Sequence, residues 1–570
     1  MVNSRQLFQR AISISVLFVA VVAFALNAAA NTAGKYMIAA ANPLAAEAGY
    51  DVLAKGGNAV DAAIAVQLVL TLVEPQSSGI GGGAFLLYYD NKKQEVSTYD
   101  GREMAPAAVT ENHFLKTDGK PLKFYEAVVG GKSVGVPGAL AMLEKAHKER
   151  GQLPWKSLFD AAIVHSKNGF AISPRLHFLL NRDKYLKTKS AAATYFYNTD
   201  GTAKEVGTIL KNPELAATFR DIAANGAKAL YEGSIASKIV QAVKSDIENS
   251  GVLTLADMKN YVAKKRMPVC APYHGYKVCG MGPPTSGGVT SLQILKLLEK
   301  QNLSTISAGS ANAINLISEA SALAFADRGL YLADKDFVDV PVDALLSPTY
   351  IKRRSALIRA GETHVPYTAG DPAKQASTLM PDNAIELPST SHFSIVDANG
   401  NAVSMTTSVE NVFGSRLMAG GFILNNQLTD FSFRPSKDGV LVNNRIQAGK
   451  RPRSSMSPTL VLNADDTLNM AIGSPGGSRI IGFVTKTIIG VLDWGLDMQS
   501  AINLPHHINR NGTLDLEKDT AIADHKTALE AMGYKVKIRT LNSGLHGIRV
   551  TAQGLQGGAD PRREGVVLGN

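Results

Sequence analysis

The sequence predicts an α+β fold in which helices pack against antiparallel sheets. Residues 43–73 read as two apolar helices, and residues 390–473 contain several closely spaced strands. Residues 482–503 read as another helix, and the chain ends in further strands. Strands that follow one another across short turns pair antiparallel, so helices before and after them are available to cover the sheets.

The first two predicted helices have clear start and stop signals. Asn42-Pro43 combines a capping residue with proline at the first helical position, and Gly56-Gly57 ends the first helix. Asn58 can cap the second helix, "NAVDAAIAVQLVLTLV", which is apolar on nearly every face and is therefore expected to be buried. The glycine-rich "SSGIGGGAF" then leads into a strand over residues 84–89.

The middle of the chain is predicted to be mainly helical. The segment "GKSVGVPGALAMLEKAHKER" begins as a loop and continues as a helix, and residues 155–335 contain long amphipathic segments. A short hairpin at residues 268–280 interrupts them.

That hairpin contains the two cysteines of the chain, in "PVCAPYHGYKVCGM". A two-residue turn at His274-Gly275 places Cys270 directly opposite Cys279 as a non-hydrogen-bonded pair, where the two strands approach most closely. In an oxidising compartment this predicts a Cys270–Cys279 disulfide, with two free core thiols as the alternative.

Residues 361–389 change character, because proline, small and polar residues dominate and no periodicity is visible. Such a segment is a loop or linker, and its usual interpretation is a domain boundary. Strands follow it. "HFSIVD" and "NAVSMTTSV" alternate around a turn at 398–400, and "GFILNNQ", "PTLVLN", "LNMAIGS", "GIRVTAQG" and "GVVLG" are the others.

The net charge of +10 raises the possibility of nucleic-acid binding. The densest basic runs, 264–266 and 450–453, are neither interleaved with aromatic residues nor repeated along a helix. Nucleic-acid grooves need that arrangement, so the sequence argues against a nucleic-acid partner and for scattered solvated lysines.

The N-terminus has the pattern of a secretory signal peptide. Arg5 and Arg10 precede an apolar run over residues 11–26, and small residues follow at 27–30. The alternative is a retained membrane anchor. We expect residues 1–30 to be removed and the mature protein to be exported to the periplasm, with no membrane association after signal removal.

Thr390 lies at the border between the linker and the first strand of the C-terminal part. If the chain is cut before it, this residue carries a hydroxyl and a free amine whose reference pKa is about 7.7–8.0. The amine can then serve as the base for the hydroxyl of the same residue. The cut itself can follow from attack of the Thr390 hydroxyl on the Ser389 carbonyl.

At this point the sequence resembles a known family, the γ-glutamyltranspeptidases or glutathione hydrolases. Eight stretches in family order carry the resemblance: "GGNAVDAAIAV", "SSGIGGGAF", "DGREMAP", "TSHFSIVDANGNAVSMT", "ILNNQLTDF", "KRPRSSMSPT", "GSPGGSRI" and "GADPRREG". The resemblance implies the αββα sandwich of N-terminal-nucleophile hydrolases, with two antiparallel sheets between helical layers. It also implies two fragments of one precursor, a large subunit of residues 31–389 and a small catalytic subunit of residues 390–570.

The resemblance places the reacting groups. Thr390 falls on the family's catalytic threonine, so the implied cleavage site is Ser389-Thr390. Ser408 falls eighteen residues on, where the family has a second threonine hydrogen-bonded to the nucleophile. Gly476 and Gly477 fall on the oxyanion-hole positions, where two backbone N–H groups stabilise the developing negative charge.

A γ-glutamyl group carries an α-carboxylate and an α-ammonium, and the remaining family positions suit both. Arg102 can fork onto the carboxylate, and Ser454-Ser455 can donate hydroxyl hydrogen bonds to it. Gln427 and Asp430 fall where the family binds the amine. Glu410, where some members have asparagine, can also accept from the ammonium.

The implied function is an autoprocessing γ-glutamyltransferase and glutathione hydrolase. Thr390 would form a γ-glutamyl ester from glutathione or another γ-glutamyl amide, and water or an amino-acid or peptide acceptor would resolve it. No cofactor is expected. No metal is expected either, because His506-His507 are adjacent rather than at metal-ligand spacing and the other histidines are dispersed.

Two other functions fit the sequence less well. A related acylase, such as a cephalosporin acylase that removes glutaryl side chains, would not need groups that hold an α-amine. A non-catalytic exported solute-binding protein would not be cut. In addition, the segment between Asp430 and Ser454 lacks the gating tyrosine of lidded members, which implies a more open pocket.

Overall fold

The computed structural model describes residues 32–372, 379–382, 384 and 389–570. The predicted signal peptide and part of the predicted linker 361–389 lie outside these residues. The Ser389–Thr390 peptide bond is intact, so the structure is that of the uncut chain.

Twenty-three strands are present in the described residues. They are β1 Thr32–Ala33, β2 Met37–Ala40, β3 Gly83–Asp90, β4 Glu95–Gly101, β5 Phe170–Ala171, β6 Ile209–Leu210, β7 Lys264–Arg266, β8 Val269–Tyr273, β9 Tyr276–Gly280, β10 Ser391–Val396, β11 Ala402–Ser408, β12 Met418–Ala419, β13 Phe422–Ile423, β14 Ser436–Lys437, β15 Val440–Leu441, β16 Thr459–Leu462, β17 Leu468–Gly473, β18 His507–Asn509, β19 Leu514–Glu517, β20 Val536–Arg539, β21 His546–Thr551, β22 Gly554–Ala559 and β23 Val566–Gly569.

The α-helices of the described residues are distributed along the chain between these strands. They are Pro43–Ala54, Ala59–Val73, Phe124–Val128, Ala139–Arg150, Asp160–Asn168, Pro174–Arg182, Ser190–Phe196, Pro213–Asn225, Lys228–Tyr231, Gly233–Lys244, Leu255–Lys259, Gly287–Leu298, Ala311–Tyr331, Val342–Leu345, Pro348–Ser355, Ile480–Leu492, Met498–Asn503 and Lys526–Ala531. The predicted caps are confirmed, since the Asn42 side chain accepts from Leu44 N and the Asn58 side chain accepts from Val60 N.

Two seven-stranded antiparallel sheets form the centre. The first has the order β1-β22-β21-β17-β16-β9-β8, and the second has the order β23-β2-β10-β11-β3-β4-β7. Side chains of β3 alternate between two cores, as period-two strands require. Phe85 and Leu87 pack with Leu460 and Met470 of the first sheet, whereas Leu86 packs with the helix Ala59–Val73.

Helices cover both outer faces. The helix Ala59–Val73 lies on β10 and β11 of the second sheet, and every one of its residues is buried. The helices Gly287–Leu298 and Ile480–Leu492 pack on β8, β9 and β17 of the first sheet. The layers are therefore helix, sheet, sheet and helix, which confirms the predicted αββα sandwich.

The sequence on either side of Thr390 contributes to the same sheets. Strand β10 begins directly after Thr390 and lies between β11 and β2, so a strand from the start of the chain borders the candidate nucleophile strand. The linker 361–389 is thus not a boundary between two independent folding units, because both sheets mix strands from before and after it.

Two predicted elements differ from the structure. The helix expected over 482–503 is two helices, because Gly495 adopts a positive φ of 65° and Asp497 caps a new helix. The strand expected in "GFILNNQ" is only Phe422–Ile423. Asn425 ends it by donating to the carbonyls of Gly81 and Gly135, and a short 3-10 turn, Gln427–Asp430, follows.

The predicted hairpin is confirmed, and so is its register. Cys270 is paired with Cys279 across β8 and β9, and the two sulfur atoms are bonded. The turn residues His274 and Gly275 have positive φ values of 46° and 84°, as the tight turn requires. Strand β8 is an edge of its sheet, so Pro272 there removes no hydrogen bond from a neighbour.

Candidate active site

The candidate nucleophile is held by the register of two central strands. Ser391 is paired with Thr407, so Thr390 comes opposite Ser408 at the end of the ladder. Thr390 Oγ1 lies 3.0 Å from Ser408 Oγ, which is hydrogen-bonding distance. Ser408 Oγ also accepts from Glu410 N at 2.9 Å, so the serine hydroxyl is oriented without the methyl group of a threonine.

The carbonyl before Thr390 faces a backbone donor. Gly476 N–H donates to Ser389 O at 3.3 Å, and Ser389 Oγ donates to Gln76 O at 2.7 Å. Gly476 and Gly477 have φ values of 141° and 59°. A Cβ on Gly476 would also come within 2.7 Å of the Phe483 ring, so the turn needs glycine there.

Thr390 itself has a strained backbone. Its φ is +102°, a region that β-branched residues rarely adopt and that costs about 1–3 kcal/mol. Arg563 Nη1 donates to Thr390 O at 2.9 Å and so helps to fix the backbone of this residue. Burial and the adjacent Arg175 lower the pKa of Arg563 to about 9. The tail "GADPRREG" was visible in the sequence, but nothing in it indicated this contact.

Arg102 is fixed before any substrate binds. Its Nε donates to Pro452 O at 3.0 Å, and its Nη2 donates to Arg453 O at 2.9 Å and to Asp430 Oδ2 at 2.5 Å. Gln427 Nε2 donates to the same Asp430 oxygen at 2.6 Å. The residue predicted to bind the substrate carboxylate, Arg102, is therefore hydrogen-bonded in the uncut chain to Asp430, which is predicted to bind the substrate ammonium.

The serine pair enters from the loop before β16. Ser454 N donates to Pro284 O at 3.1 Å, and Met456 N donates to Ser454 Oγ at 3.1 Å. Ser455 Oγ accepts from Arg328 Nη2 at 2.6 Å. Arg328 was not predicted from the sequence, because it belongs to the distant helix Ala311–Tyr331.

Nearly all the predicted site residues line one cavity. Its walls are Arg102, Thr390, Ser408, Glu410, Gln427, Asp430, Ser454, Ser455, Met456, Gly477 and Ile480. Gly476 is not among these residues, but it directly precedes the lining residue Gly477 in the chain. Glu410 is turned by a positive φ of 79° and accepts from the Asn426 side chain.

The cavity has charge of both signs and no histidine or lysine among its lining residues. Arg102 supplies the positive charge, and Glu410 and Asp430 supply the carboxylates. His392, two residues after Thr390, is fully buried and hydrogen-bonds to Thr406 and Ser394. Burial and His546 hold the pKa of His392 well below its usual range, so it is neutral. The cavity lining thus offers Thr390 no histidine or lysine as a base in the uncut chain.

Glu103 is a buried carboxyl that the sequence did not single out. Its side chain is fully buried, and neither oxygen has a hydrogen-bond partner among the described residues. Arg102 Nη1 lies 3.6 Å away. Burial raises the pKa of Glu103 to about 8, and the attraction of Arg102 only partly offsets this. The carboxyl is thus protonated at neutral pH.

This protonation predicts a pH-dependent stability. Since the unfolded pKa is 4.5 and the folded pKa is about 8, the folded chain binds more protons between these values, and its stability falls as pH rises. We expect the free energy of unfolding of the wild-type chain to fall by about 1.4 kcal/mol per pH unit between pH 4.5 and 8. Glu103→Gln is expected to abolish this fall. Urea unfolding of wild-type and Glu103→Gln chains tests this, both in the uncut Thr390→Ala background. Parallel pH profiles would contradict it.

The candidate catalytic residues are largely buried in the uncut chain. Thr390, Ser408 and Asp430 are each less than a tenth exposed. The segment after Asp430 forms the small hairpin of β14 and β15, and Met380 N donates to Leu441 O in it at 3.2 Å. For the cut chain the open pocket stays a prediction.

Neither a metal cluster nor a membrane helix is found in the part of the chain that the structure describes. No group of three or more His, Cys, Asp or Glu side chains there is placed to hold a metal ion. None of the helices there is both long and apolar enough to span a bilayer.

A central strand that begins directly after a threonine, in one of two facing sheets covered by helices, is the arrangement of N-terminal-nucleophile hydrolases. Solved structures agree with this class. A cephalosporin acylase from Bacillus halodurans superposes with a TM-score of 0.79 at 27% identity, over 95% of this chain and 96% of that one. The γ-glutamyltranspeptidase of Helicobacter pylori gives 0.54 at 35% identity, over 59% of this chain and 93% of that one.

Sequence comparison narrows the class to a family. The family model "Gamma-glutamyltranspeptidase" matches residues 45–570. The glutathione hydrolase proenzyme of Bacillus subtilis (strain 168) is 36% identical over 544 residues, which are 94% of this chain and 91% of that protein. The chain belongs to the γ-glutamyltranspeptidase family, and it is an enzyme.

Proposed function

We propose that the chain cuts itself before Thr390 and then uses Thr390 to transfer γ-glutamyl groups. One observation carries this proposal: a cation with two hydroxyls and a set of carboxylates line the same cavity as the nucleophile. An α-carboxylate and an α-ammonium on one carbon need these two kinds of partner at close range.

The self-cleavage uses groups that are already in contact. The Thr390 hydroxyl attacks the Ser389 carbonyl carbon, and its proton passes to the leaving Thr390 nitrogen as the C–N bond breaks. Gly476 N–H stabilises the oxyanion on the Ser389 oxygen. Water then hydrolyses the ester, which leaves a Ser389 carboxylate and a free Thr390 amine. The cut also abolishes the φ angle of Thr390, so the strain at +102° favours it.

The transfer reaction repeats this chemistry on a substrate. The Thr390 oxygen attacks the γ-carbonyl carbon, its proton goes to the Thr390 amine, and the leaving amine departs with a proton. Gly476 and Gly477 N–H groups stabilise the oxyanion. Water or an acceptor amine then attacks the γ-glutamyl ester and releases Thr390.

The proposed substrate roles follow from charge and hydrogen-bonding chemistry. Arg102 and Ser454-Ser455 hold the α-carboxylate, while Glu410, Gln427 and Asp430 hold the α-ammonium. The donor is glutathione or another γ-glutamyl amide, as the name of the Bacillus subtilis relative indicates for that protein. The acceptors are water, amino acids and peptides.

The proposed mature enzyme consists of two subunits from one precursor. Residues 31–389 form the large subunit and residues 390–570 the small one, after removal of residues 1–30 on export to the periplasm. Because each sheet contains strands from both subunits that are hydrogen-bonded to each other, the subunits would stay associated after the cut.

A glutaryl acylase is the second candidate, since the Bacillus halodurans neighbour is named a cephalosporin acylase. A glutaryl group has the same chain length but no α-amine. Glu410, Gln427 and Asp430 would then be buried polar groups without a ligand partner, which is unfavourable. Their presence favours the glutamyl substrate.

Paired chromogenic donors separate the two candidates. We expect kcat/KM for γ-glutamyl-4-nitroanilide to exceed that for glutaryl-4-nitroanilide by at least about 100-fold, because a site built to bond the amine rejects an analogue without it. Asp430→Asn is expected to shrink this ratio. A ratio of one or below in the wild-type enzyme would assign the protein to the acylases instead.

A further inference from the structure

Arg328 lies directly behind the serine pair of the pocket. It comes from the buried helix Ala311–Tyr331, and its side chain is buried beside the Phe325 ring. Its Nη2 donates to Ser455 Oγ at 2.6 Å, and its Nε donates to Ser286 Oγ at 2.8 Å. One guanidinium thus contacts two different hydroxyl groups through two differently directed nitrogen atoms.

Ser286 carries the second contact on to the other serine. Its Oγ accepts from Arg328 and donates to Ser454 O at 2.7 Å, and its N–H donates to the same carbonyl at 2.8 Å. Thr285 forms an isolated bridge with Ser454 beside these bonds. Arg328 is therefore connected to both members of the pair, directly at Ser455 and through Ser286 at Ser454.

The direction of these bonds decides what the serines can do. A hydroxyl has one hydrogen and two lone pairs, and it rotates about its C–O bond to match its hydrogen-bond partners. Since Ser455 Oγ accepts from Arg328, its own hydrogen is directed elsewhere. Ser454 Oγ is in the same position, because it accepts from Met456 N–H. Both serines line the cavity, and each hydroxyl oxygen accepts a hydrogen bond from the protein.

We propose that Arg328 is a positioning residue that orients the Ser455 hydroxyl directly, fixes the backbone of Ser454 through Ser286, and so makes the pocket selective for a carboxylate-bearing donor. This inference rests on the proposed γ-glutamyl function and deepens it. Arg102 meets the carboxylate from one side, and Arg328 acts from behind the serines without touching the substrate. A hydrogen bond from an arginine to the hydroxyl oxygen also polarises the O–H bond and strengthens its donation to an anion.

The test compares two donors that differ only in the carboxylate. γ-Glutamyl-4-nitroanilide has it, and 4-aminobutanoyl-4-nitroanilide lacks it but keeps the amine and the reacting amide. We expect Arg328→Gln to raise KM for the first donor about 10- to 100-fold with kcat nearly unchanged. For the second donor, kcat/KM is expected to change less than about threefold.

A double-mutant cycle shows whether Arg328 acts through Ser455. Starting from Ser455→Ala, the further change Arg328→Gln is expected to raise KM by a clearly smaller factor than it does in the wild type, because only the link through Ser286 to Ser454 remains to be lost. Arg354→Gln is a matched control, since Arg354 is another buried arginine and pairs with Asp327 away from the cavity. It is expected to lower the melting temperature without changing KM for either donor.

The outcomes separate this inference from the proposed function. A wild-type enzyme that cuts itself but does not turn over γ-glutamyl-4-nitroanilide contradicts the proposed function. If the wild type is active, equal effects of Arg328→Gln on both donors, or additive effects in the cycle, overturn the role of Arg328.

Milder variants apply if Arg328→Gln does not mature. Arg328→Lys keeps the charge but offers a single ammonium in place of two directed nitrogen atoms. Ser286→Ala removes only the link to Ser454. Each is expected to raise KM for the carboxylate-bearing donor selectively, and an unchanged KM in both overturns the inference.

Discussion

A Thr390→Ala chain is expected to remain a single uncut polypeptide and to lose γ-glutamyl transfer by at least about 10⁴-fold. The methyl side chain can attack neither the Ser389 carbonyl nor a substrate, and without the cut no terminal amine exists to act as base. Denaturing electrophoresis measures the first effect, and release of 4-nitroaniline from γ-glutamyl-4-nitroanilide measures the second.

Thr390→Ser is the matched control. It keeps the hydroxyl and, after a cut, the amine, so it is expected to mature into two fragments and to retain part of the activity. Sequencing the N-terminus of the smaller wild-type fragment should give Thr390-Ser391-His392. Normal maturation of Thr390→Ala, or a fragment that starts elsewhere, would show that another residue performs the cut.

Arg102→Gln is expected to lower kcat/KM for γ-glutamyl donors by about 10²- to 10⁴-fold, mainly through KM. The guanidinium is the cation of the cavity and is fully buried, and it donates to Asp430 at 2.5 Å. Its loss removes the proposed partner of the substrate carboxylate and breaks the ion pair with Asp430. Breaking such a buried pair typically costs about 3–5 kcal/mol. Steady-state kinetics with γ-glutamyl-4-nitroanilide measures the effect.

Arg102→Lys distinguishes charge from geometry. Lysine keeps the positive charge but cannot make the three bonds of the guanidinium to Pro452, Arg453 and Asp430 at once. We expect it to recover only part of the loss. A variant Arg102→Gln that binds the donor as tightly as the wild type would remove Arg102 from the substrate site.

Much of the fold follows from short-range signals in the sequence. The capped helices after Asn42 and Asn58, the strands after Thr390 and the hairpin with Cys270 opposite Cys279 all depend on residues within one or two turns of each other. Two predicted elements were longer than the elements in the structure. Gly495 divides the expected helix over 482–503, and Asn425 ends the strand in "GFILNNQ" by bonding two distant carbonyls.

Residue type and family spacing predicted the candidate site, and the fold explains why its residues lie together in one cavity. Thr390 and Ser408 are close because β10 and β11 are paired neighbours. The sequence predicts this pairing, since a short turn joins the two strands. Arg102 meets Asp430 only because β4 and the turn Gln427–Asp430 reach the same end of the sandwich. No periodicity relates residues that are 328 positions apart.

The sequence by itself predicted the class of fold and its local elements, and its resemblance to a family implied the residue at which the chain is cut and the groups that hold a γ-glutamyl substrate. Caps, alternation and turns act over a few residues, so they can be read directly from the chain. Only the tertiary structure decided that Arg328 stands behind Ser455, that Glu103 is a protonated carboxyl beside Arg102 and that Arg563 holds Thr390. Each of these depends on strand order and burial, which arise from contacts between segments that are far apart in the chain.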